Sequence, residues 1–428
     1  MTTKPNQPSY DVIVVGGGAA GMFAAGRSAE NGADVILFEK NAKLGVKLGI
    51  TGNGRCNITN SGDRESFINS YGKNGSFLYR ALTEFSNRDI ILFLERYGVK
   101  VITEAGGKVF PADGRSESVV NAFQQYIEEN NFYLKVRFNA RVESILVEHA
   151  GDIKSAAGVK FSDGETIRGR KIILATGGLS YPKTGSSGDG YEMAKSLGHT
   201  IVPLNPALVP LETEEDFVKD LQGVALYGVK VSFYSNGKKI CDGEGDIMFT
   251  HFGISGPVIL NMSGIISSVL SKNENVEVSL NLMPGKNSQE LDGQLLDEVK
   301  MYKNKFLNNV LSKFLPKSFV PVFLARAGIS ADIKCNQISR SQRDNLAGML
   351  AGFRIKIKKT RPIEEAMVTK GGVSLKEIDP YTMESKLVKG LYFCGEVIDI
   401  DGKTGGYNLQ AAFSTAYLAA KSPNEYEK

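Results

Sequence analysis

Tryptophan is absent, histidine occurs three times, and none of the four cysteines stands within a few residues of another. Cys56, Cys241, Cys335 and Cys394 lie far apart, so neither a disulfide framework nor a zinc or iron–sulfur ligand set is suggested. That pattern suits a reducing cytoplasm, and no metal site is expected. Long hydrophobic runs are missing as well. The one long uncharged stretch, 252–270, mixes Gly, Ser, Pro257 and Asn261 with its apolar residues and is too polar to span a bilayer. The N-terminus, MTTKPNQPSY, has no basic region followed by an apolar run, so it reads without a signal peptide. Net charge is also small, formally +4 over 428 residues, and 42% of the chain is hydrophobic. Disorder is thereby excluded as the main theme, and two or three domains with sizeable cores are predicted.

What is abundant is glycine, and it is clustered. The β-branched run Tyr10–Val15 leads into Gly16-Gly-Gly18-Ala19-Ala20-Gly21, and small and apolar residues continue to Ala29. This predicts strand, tight turn and helix. Gly16 permits the turn, Gly18 lets the backbone approach a pyrophosphate, and Gly21 allows the helix to pack closely on the strand. The unpaired N–H groups of the helix start then face the phosphates. A lone G-x-G-x-x-G is weak, but here Asp34–Phe38 reads as a second strand and Glu39 follows it. A carboxylate there accepts both ribose hydroxyls and repels a 2′-phosphate, which favours FAD or NAD over NADP.

Two further segments have the same character. Lys171–Leu174 reads as a strand running into Ala175-Thr176-Gly177-Gly178, with the Gly-rich 185–190 opening a helix over 191–197. Gly390–Cys394 reads as a buried strand, followed by Gly395-Glu396, by Asp401-Gly-Lys-Thr404-Gly-Gly406-Tyr407-Asn408-Leu409, and by an Ala-rich helix to Ala420. A helix starting near Gly406 aims its N–H groups and positive end at whatever sits above it. A loop without periodicity, 43–60, adds Lys47, Gly54, Arg55, Cys56 and Asn57, and such loops usually hold a ligand. Three Gly-rich strand ends from distant parts of the chain surround one elongated ligand, and FAD has the right length.

These motifs resemble one family. The first turn with Glu39, the block 51–60 (TGNGRCNITN), Phe249-Thr-His251-Phe-Gly253-Ile-Ser255-Gly256-Pro257, Thr382–Lys386 and Asp401–Asn408 together resemble the YhiN-like (BaiN/RdsA) flavoproteins, over about 10–420. The resemblance implies an α/β fold: a glutathione-reductase-type FAD-binding Rossmann domain with a large inserted β-rich plus helical region. It implies that Gly16, Gly18, Ala19, Ala20, Glu39 and Lys40 hold the adenine–ribose end, with the Val142 backbone under the adenine and Thr176-Gly177 near the pyrophosphate. The flavin end then rests on Arg55, Cys56, Asn57, Gly395, Glu396, Asp401, Tyr407, Asn408 and Leu409. Lys47, Gly54, Gly178 and Gly406 complete the expected cofactor set.

Members of that family are associated with reduction of conjugated C=C bonds, one branch acting on a uridine of large-subunit (23S) ribosomal RNA and another on dehydro bile acids. Both substrates are enone-like. Hydride goes to the β-carbon, C6 of uracil, the developing enolate at C4–O needs a hydrogen-bond donor or cation, and an acid protonates C5. Cys56, beside the cation Arg55 that would lower its pKa, is a candidate acid. His251, in a Gly/Ser/Pro loop, is a candidate for the carbonyl or the proton, and Lys370 for the enolate oxygen or a phosphate. Each has a plain alternative as a packing or surface residue. No second strand-linked G-x-G-x-x-G exists, so NAD(P)H is expected as a transient reductant without a Rossmann domain of its own.

Charge separates the two substrates. Residues 300–361 carry fourteen cations against only Asp332 and Asp344, a net of +12 in a chain of +4. Such asymmetry is the signature of a polyanion partner, here ribosomal RNA, and is more than a singly charged small enone requires. The alternative is a solvated face. Tyr302, Phe306, Phe314, Phe319 and Phe353 lie between the cations and either stack bases or fill a core. Expected domains are 1–200 (FAD-binding, with a β-meander near 133–175), 201–285 (inserted, β-rich, with a hairpin at Asn236-Gly237), 286–361 (inserted, basic, helical) and 362–428 (the return to the FAD domain). A flavin-carrying RNA-binding or assembly factor without turnover is the reading from another class. Oligomeric state cannot be read from the chain.

Overall fold

The computed structural model describes residues 9–421; the leaderless reading of the N-terminus rests mostly on 1–8, which lie outside them. The chain divides into two compact units, Met1–Asn205 with Met367–Lys428, and Pro206–Ala366. Their apolar cores are separate: one draws on residues up to Leu204 and from Val373 onward, the other on residues between Leu211 and Ile357.

In the first unit, β1 (Ser9–Val15), α1 (Ala19–Glu30) and β2 (Val35–Phe38) occupy the places predicted for them. β1 is buried on both faces because it lies mid-sheet, which is why its sequence is a continuous β-branched run rather than an alternating one. It pairs in parallel with β2 on one side and with Thr166–Leu174 on the other. The seven-stranded sheet continues outward from β2 to Leu134–Arg137, and from Thr166–Leu174 to the antiparallel strands Ile153–Phe161 and Val142–Ala150. The return strand Leu391–Phe393 joins Thr166–Leu174 in parallel. This is a Rossmann sheet with a meander on one flank, so the carboxyl ends of β1, β2 and Thr166–Leu174 open together.

The stretch 43–60 differs from expectation. It contains a five-residue helix, Val46–Ile50, a 3-10 turn Thr51–Gly54 and a short strand Thr59–Asn60. A helix of little more than one turn leaves no periodic signature in sequence.

The second unit is a closed six-stranded barrel. Around it run Leu211–Thr213, Gly253–Ser255, Lys238–Phe249, Ala225–Ser235, Val276–Asn281 and Phe353–Thr360. Asn236-Gly237 turns the expected hairpin, both residues having positive φ as a two-residue turn demands. Helix Pro257–Leu270, the uncharged stretch of the sequence, is largely buried against the barrel, and no described helix is long and apolar enough to cross a membrane. Helices Ser288–Met301, Leu307–Leu311, Val320–Arg326 and Arg340–Ala351 follow. The stretch read as helical to 361 ends in a barrel strand instead. In Phe353-Arg-Ile355-Lys-Ile357-Lys the apolar residues alternate with period two and are buried, and the cations face out.

Candidate functional site

The site of the first unit lies at the open sheet end, and three glycines define its floor. Gly16 has φ +105°, and a Cβ there would stand 2.6 Å from the Ala175 carbonyl oxygen. A Cβ on Gly21 would stand 1.7 Å from the Gly16 carbonyl oxygen, so only glycine lets α1 sit this close. At Gly18 a Cβ would meet nothing within 4 Å: the empty side is the pocket itself. Gly18 also caps α1 without any side-chain acceptor, leaving the first N–H groups aimed into that space.

Glu39 is buried at the end of β2, where its Oε2 accepts the Gly17 N–H (2.7 Å) and its Oε1 the Asn41 N–H (2.7 Å). These bonds fix the carboxylate and leave further lone pairs for a ribose. Beside it Lys40 Nζ pairs with Asp189 Oδ2 (2.8 Å), and Arg141 reaches the other carboxylate oxygen (2.9 Å). Further along, Lys47 Nζ meets Glu396 Oε2 and Ser180 Oγ, both at 2.6 Å, and Glu396 Oε1 accepts the Thr369 N–H at 2.7 Å. The Thr176 hydroxyl is buried in the pocket wall and has no hydrogen-bond partner.

The pocket is elongated in chain terms, lined from Val15–Ala20 through Glu39–Asn41, Val46–Leu48, Ala140–Val142, Ala175–Gly177 and Thr184–Ser186 to Met367, Val368, Gly395, Glu396, Asn408, Leu409 and Ala412. FAD fits this donor set. The bare helix start and Gly18 suit a pyrophosphate, and Glu39 suits ribose hydroxyls. The structure thus brings together Gly16, Gly18, Ala19, Ala20, Glu39, Lys40, Lys47, Val142, Thr176, Gly177, Gly395, Glu396, Asn408 and Leu409.

The remaining expected residues stand behind this lining. A Cβ on Gly178 would overlap Thr369 and Glu396, so Gly178 packs under the Lys47–Glu396 pair. Gly406 (φ +95°) caps the helix Tyr407–Ala420, and the Asn57 amide, oriented with its oxygen toward the Gly406 N–H, accepts it at 3.0 Å. Asn57 therefore braces that helix start. Tyr407 packs against Phe67 and Tyr71, while the Asn408 amide clasps both backbone groups of Gly402 (2.8 and 2.9 Å). Burial, with repulsion from Asp399, raises the Asp401 carboxyl above its usual range against the pull of Lys370 and Lys73.

One electrostatic expectation is corrected. Arg55 does not lower the Cys56 thiol: its guanidinium pairs with Glu104 and lies over the Phe110 ring at 4.2 Å, while Cys56 is buried with φ +58°. Burial pushes that thiol up to about 12. Gly54 and Arg55 are absent from the pocket lining. Lys370 is half-buried in strand Val368–Val373, and His251 is exposed in the second unit, just after strand Lys238–Phe249.

The +12 segment is also less one-sided in space than in sequence. Lys313, Arg343, Arg354, Lys359 and Arg361 pair with Glu298, Asp292, Glu277, Glu212 and Glu365, all outside the window. Of its aromatics, Phe319 and Phe353 are core. Sequence reasoning missed Ser180 and Thr369, which anchor Glu396; isolated hydroxyl residues carry no spacing signal.

Fold and site together define a Rossmann-type flavin-dependent oxidoreductase. The HI0933-like protein Rossmann domain family matches residues 10–422, and the chain belongs to that family. It is 32% identical over 412 residues to the ribosomal RNA dihydrouridine synthase of Escherichia coli (strain K12), covering 96% of this chain and 97% of that one. It is 28% identical over 414 residues to the 3-dehydro-bile acid delta(4,6)-reductase of Clostridium scindens (strain ATCC 35704 / DSM 5676 / VPI 13733 / 19), covering 96% and 98%. Among solved structures, a 3-ketosteroid delta1-dehydrogenase from Sterolibacterium denitrificans shares the fold, with TM-score 0.53 at 14% identity over 98% of this chain and 99% of that one.

Proposed function

We propose that this protein reduces a conjugated C=C bond with electrons from NAD(P)H, and that its substrate is a uridine of large-subunit ribosomal RNA, converted to dihydrouridine. The observation that carries this is the full-length similarity to the Escherichia coli enzyme of that name, end to end and across the FAD-type pocket. Bound FAD would supply the hydride-transferring centre. The chain's part is to hold it by Gly16, Gly18, Glu39, Thr176 and Glu396, to brace the helix Tyr407–Ala420 through Asn57, and to supply a proton and a partner for the enolate oxygen. Cys56, His251 and Lys370 are the groups proposed for those last two tasks. Cys56 keeps its proton at every physiological pH, as a donor must until the moment of transfer.

The test is the dihydrouridine content of large-subunit RNA, by nuclease digestion and mass spectrometry, in cells with and without the gene. Loss of one modified site that returns with the gene is expected; an unchanged profile overturns the RNA substrate. The 28% identity to the bile-acid reductase favours a second reading, reduction of a small enone. In anaerobic stopped flow, NAD(P)H bleaches the flavin and the true substrate reoxidises it, so RNA and small enones are compared directly. The non-catalytic reading fails if either reoxidises it. In the same assay the variants among Cys56→Ala, His251→Gln and Lys370→Met that slow reoxidation by about a hundredfold or more, with bleaching unchanged, identify the groups that act on the substrate, as acid or as partner of the enolate oxygen.

A further inference from the structure

The second unit separates its cations into two populations. Those on the barrel strand Phe353–Thr360 are largely committed: Arg354, Lys356 and Lys359 reach Glu277, Glu214 and Glu212. A second set lies where two stretches of chain pair side by side. The Asn336 N–H donates to the Lys303 carbonyl (3.0 Å), the Cys335 N–H to the Lys305 carbonyl (3.0 Å) and the Leu307 N–H to the Ile333 carbonyl (2.9 Å), with Phe306 bridged to Lys334. This strip carries Lys303, Lys305 and Lys334, all exposed, and among the described residues none of the three makes an ion pair. Lys305 stands 4.7 Å from the centre of the Tyr302 ring. Asp332 is the single acid between 302 and 337.

An apolar group accompanies the charge. Phe306 is 43% exposed, whereas Phe319 and Phe353, aromatics of the same segment, are buried in the core. An aromatic ring left in water within a run of lysines that make no ion pair, on backbone fixed by hydrogen bonds between two stretches of the chain, matches what single-stranded RNA requires: point charges for phosphates and a face for one unstacked base. Aromatic rings also serve protein interfaces, so the choice of RNA over an acidic protein rests on the proposed RNA substrate.

We infer that the strip formed by Lys303, Lys305, Phe306 and Lys334 is a single-stranded RNA contact surface, with the lysines on phosphates and Phe306 stacked on a base. This rests on the proposed RNA substrate and adds where the RNA beyond the reacting uridine is held. The test uses the full-length FAD-loaded protein and fluorescently labelled poly(U), with affinity measured across a salt series. For the wild type, log K falls linearly with log salt. For the triple variant Lys303→Gln, Lys305→Gln, Lys334→Gln the slope becomes shallower by about 2, since each single-strand phosphate contact contributes about 0.7. Phe306→Ala weakens binding about fivefold or more at unchanged slope. The control triple Arg354→Gln, Lys356→Gln, Lys359→Gln, on cations already paired, changes the slope by less than half as much. Flavin absorbance and thermal unfolding certify that each variant is folded. If the strip variants bind like the wild type, the surface is wrong and the RNA substrate stands. If the wild type neither binds poly(U) nor alters dihydrouridine in cells, both fall together.

Discussion

At the residue scale the first turn separates two kinds of glycine that look alike in a motif. Gly21 is required by the protein, whereas no protein atom requires Gly18, the residue proposed to face the ligand. Gly21→Ala puts a methyl 1.7 Å from a carbonyl oxygen, so no folded protein is expected, read as loss of soluble material on expression. Gly18→Ala meets nothing in the protein itself; it is expected to fold with an unchanged circular dichroism spectrum and to bind FAD about tenfold or more weakly, or ~1.4 kcal/mol. Cys56 gives a further residue-level expectation. Fully buried and with its thiol pushed up to about 12, Cys56 is expected to stay unmodified by iodoacetamide in the native protein and to be labelled on unfolding, seen by peptide mass mapping. The sequence shows Arg55 next to Cys56, but chain neighbours share a bond, not a direction. Arg55 turns to Glu104 and Phe110, and that choice depends on residues fifty positions away.

At the scale of elements, legibility followed length and periodicity. β1, α1, β2 and the helix Tyr407–Ala420 are long or strongly patterned, and their positions were readable to within a few residues. The helix Val46–Ile50 was not, and Phe353–Thr360 was misread because its many cations suggest a helical face while its alternation marks a strand. A connection with no sequence signal at all staples the return segment. His199 is buried, its Nδ1 at 3.2 Å from Glu377 and its Nε2 at 2.9 Å from the Ser385 hydroxyl, which also accepts the Leu387 and Val388 N–H groups. Burial holds the His199 pKa below its ordinary value, with Lys154 assisting and Glu377 opposing. The unfolded chain therefore binds this proton more readily than the folded one. Stability contributed by the neutral ring is present above about pH 6.5 and is lost as pH falls below it, at about 1.4 kcal/mol per unit of depression. The thermal unfolding temperature of the wild type is expected to drop more between pH 7.5 and 5.5 than that of His199→Gln, which cannot charge. Equal slopes for the two proteins would assign the pH dependence elsewhere.

At the scale of the whole molecule, two cores with no shared residue mean two cooperative units. Replacing Pro206–Ala366 by a short Gly/Ser linker is expected to leave a protein that still takes up FAD, measured by its bound absorbance, and that loses substrate-dependent reoxidation completely. The fold class and the insertion were legible because Gly-rich strand ends occur up to about residue 190 and return after 390, on either side of the insertion. The balance of charge was not, since ion pairs such as Arg343–Asp292 and Arg354–Glu277 join residues that any window along the sequence keeps apart.

The strands that bracket the insertion, Ile201–Ala207 and Val368–Val373, pair with each other as a two-stranded sheet. The chain leaves the Rossmann unit and re-enters it through adjacent, hydrogen-bonded ports. Such a junction works as a socket: a genetic event that swaps one insert for another, or lengthens it, need not disturb the host sheet.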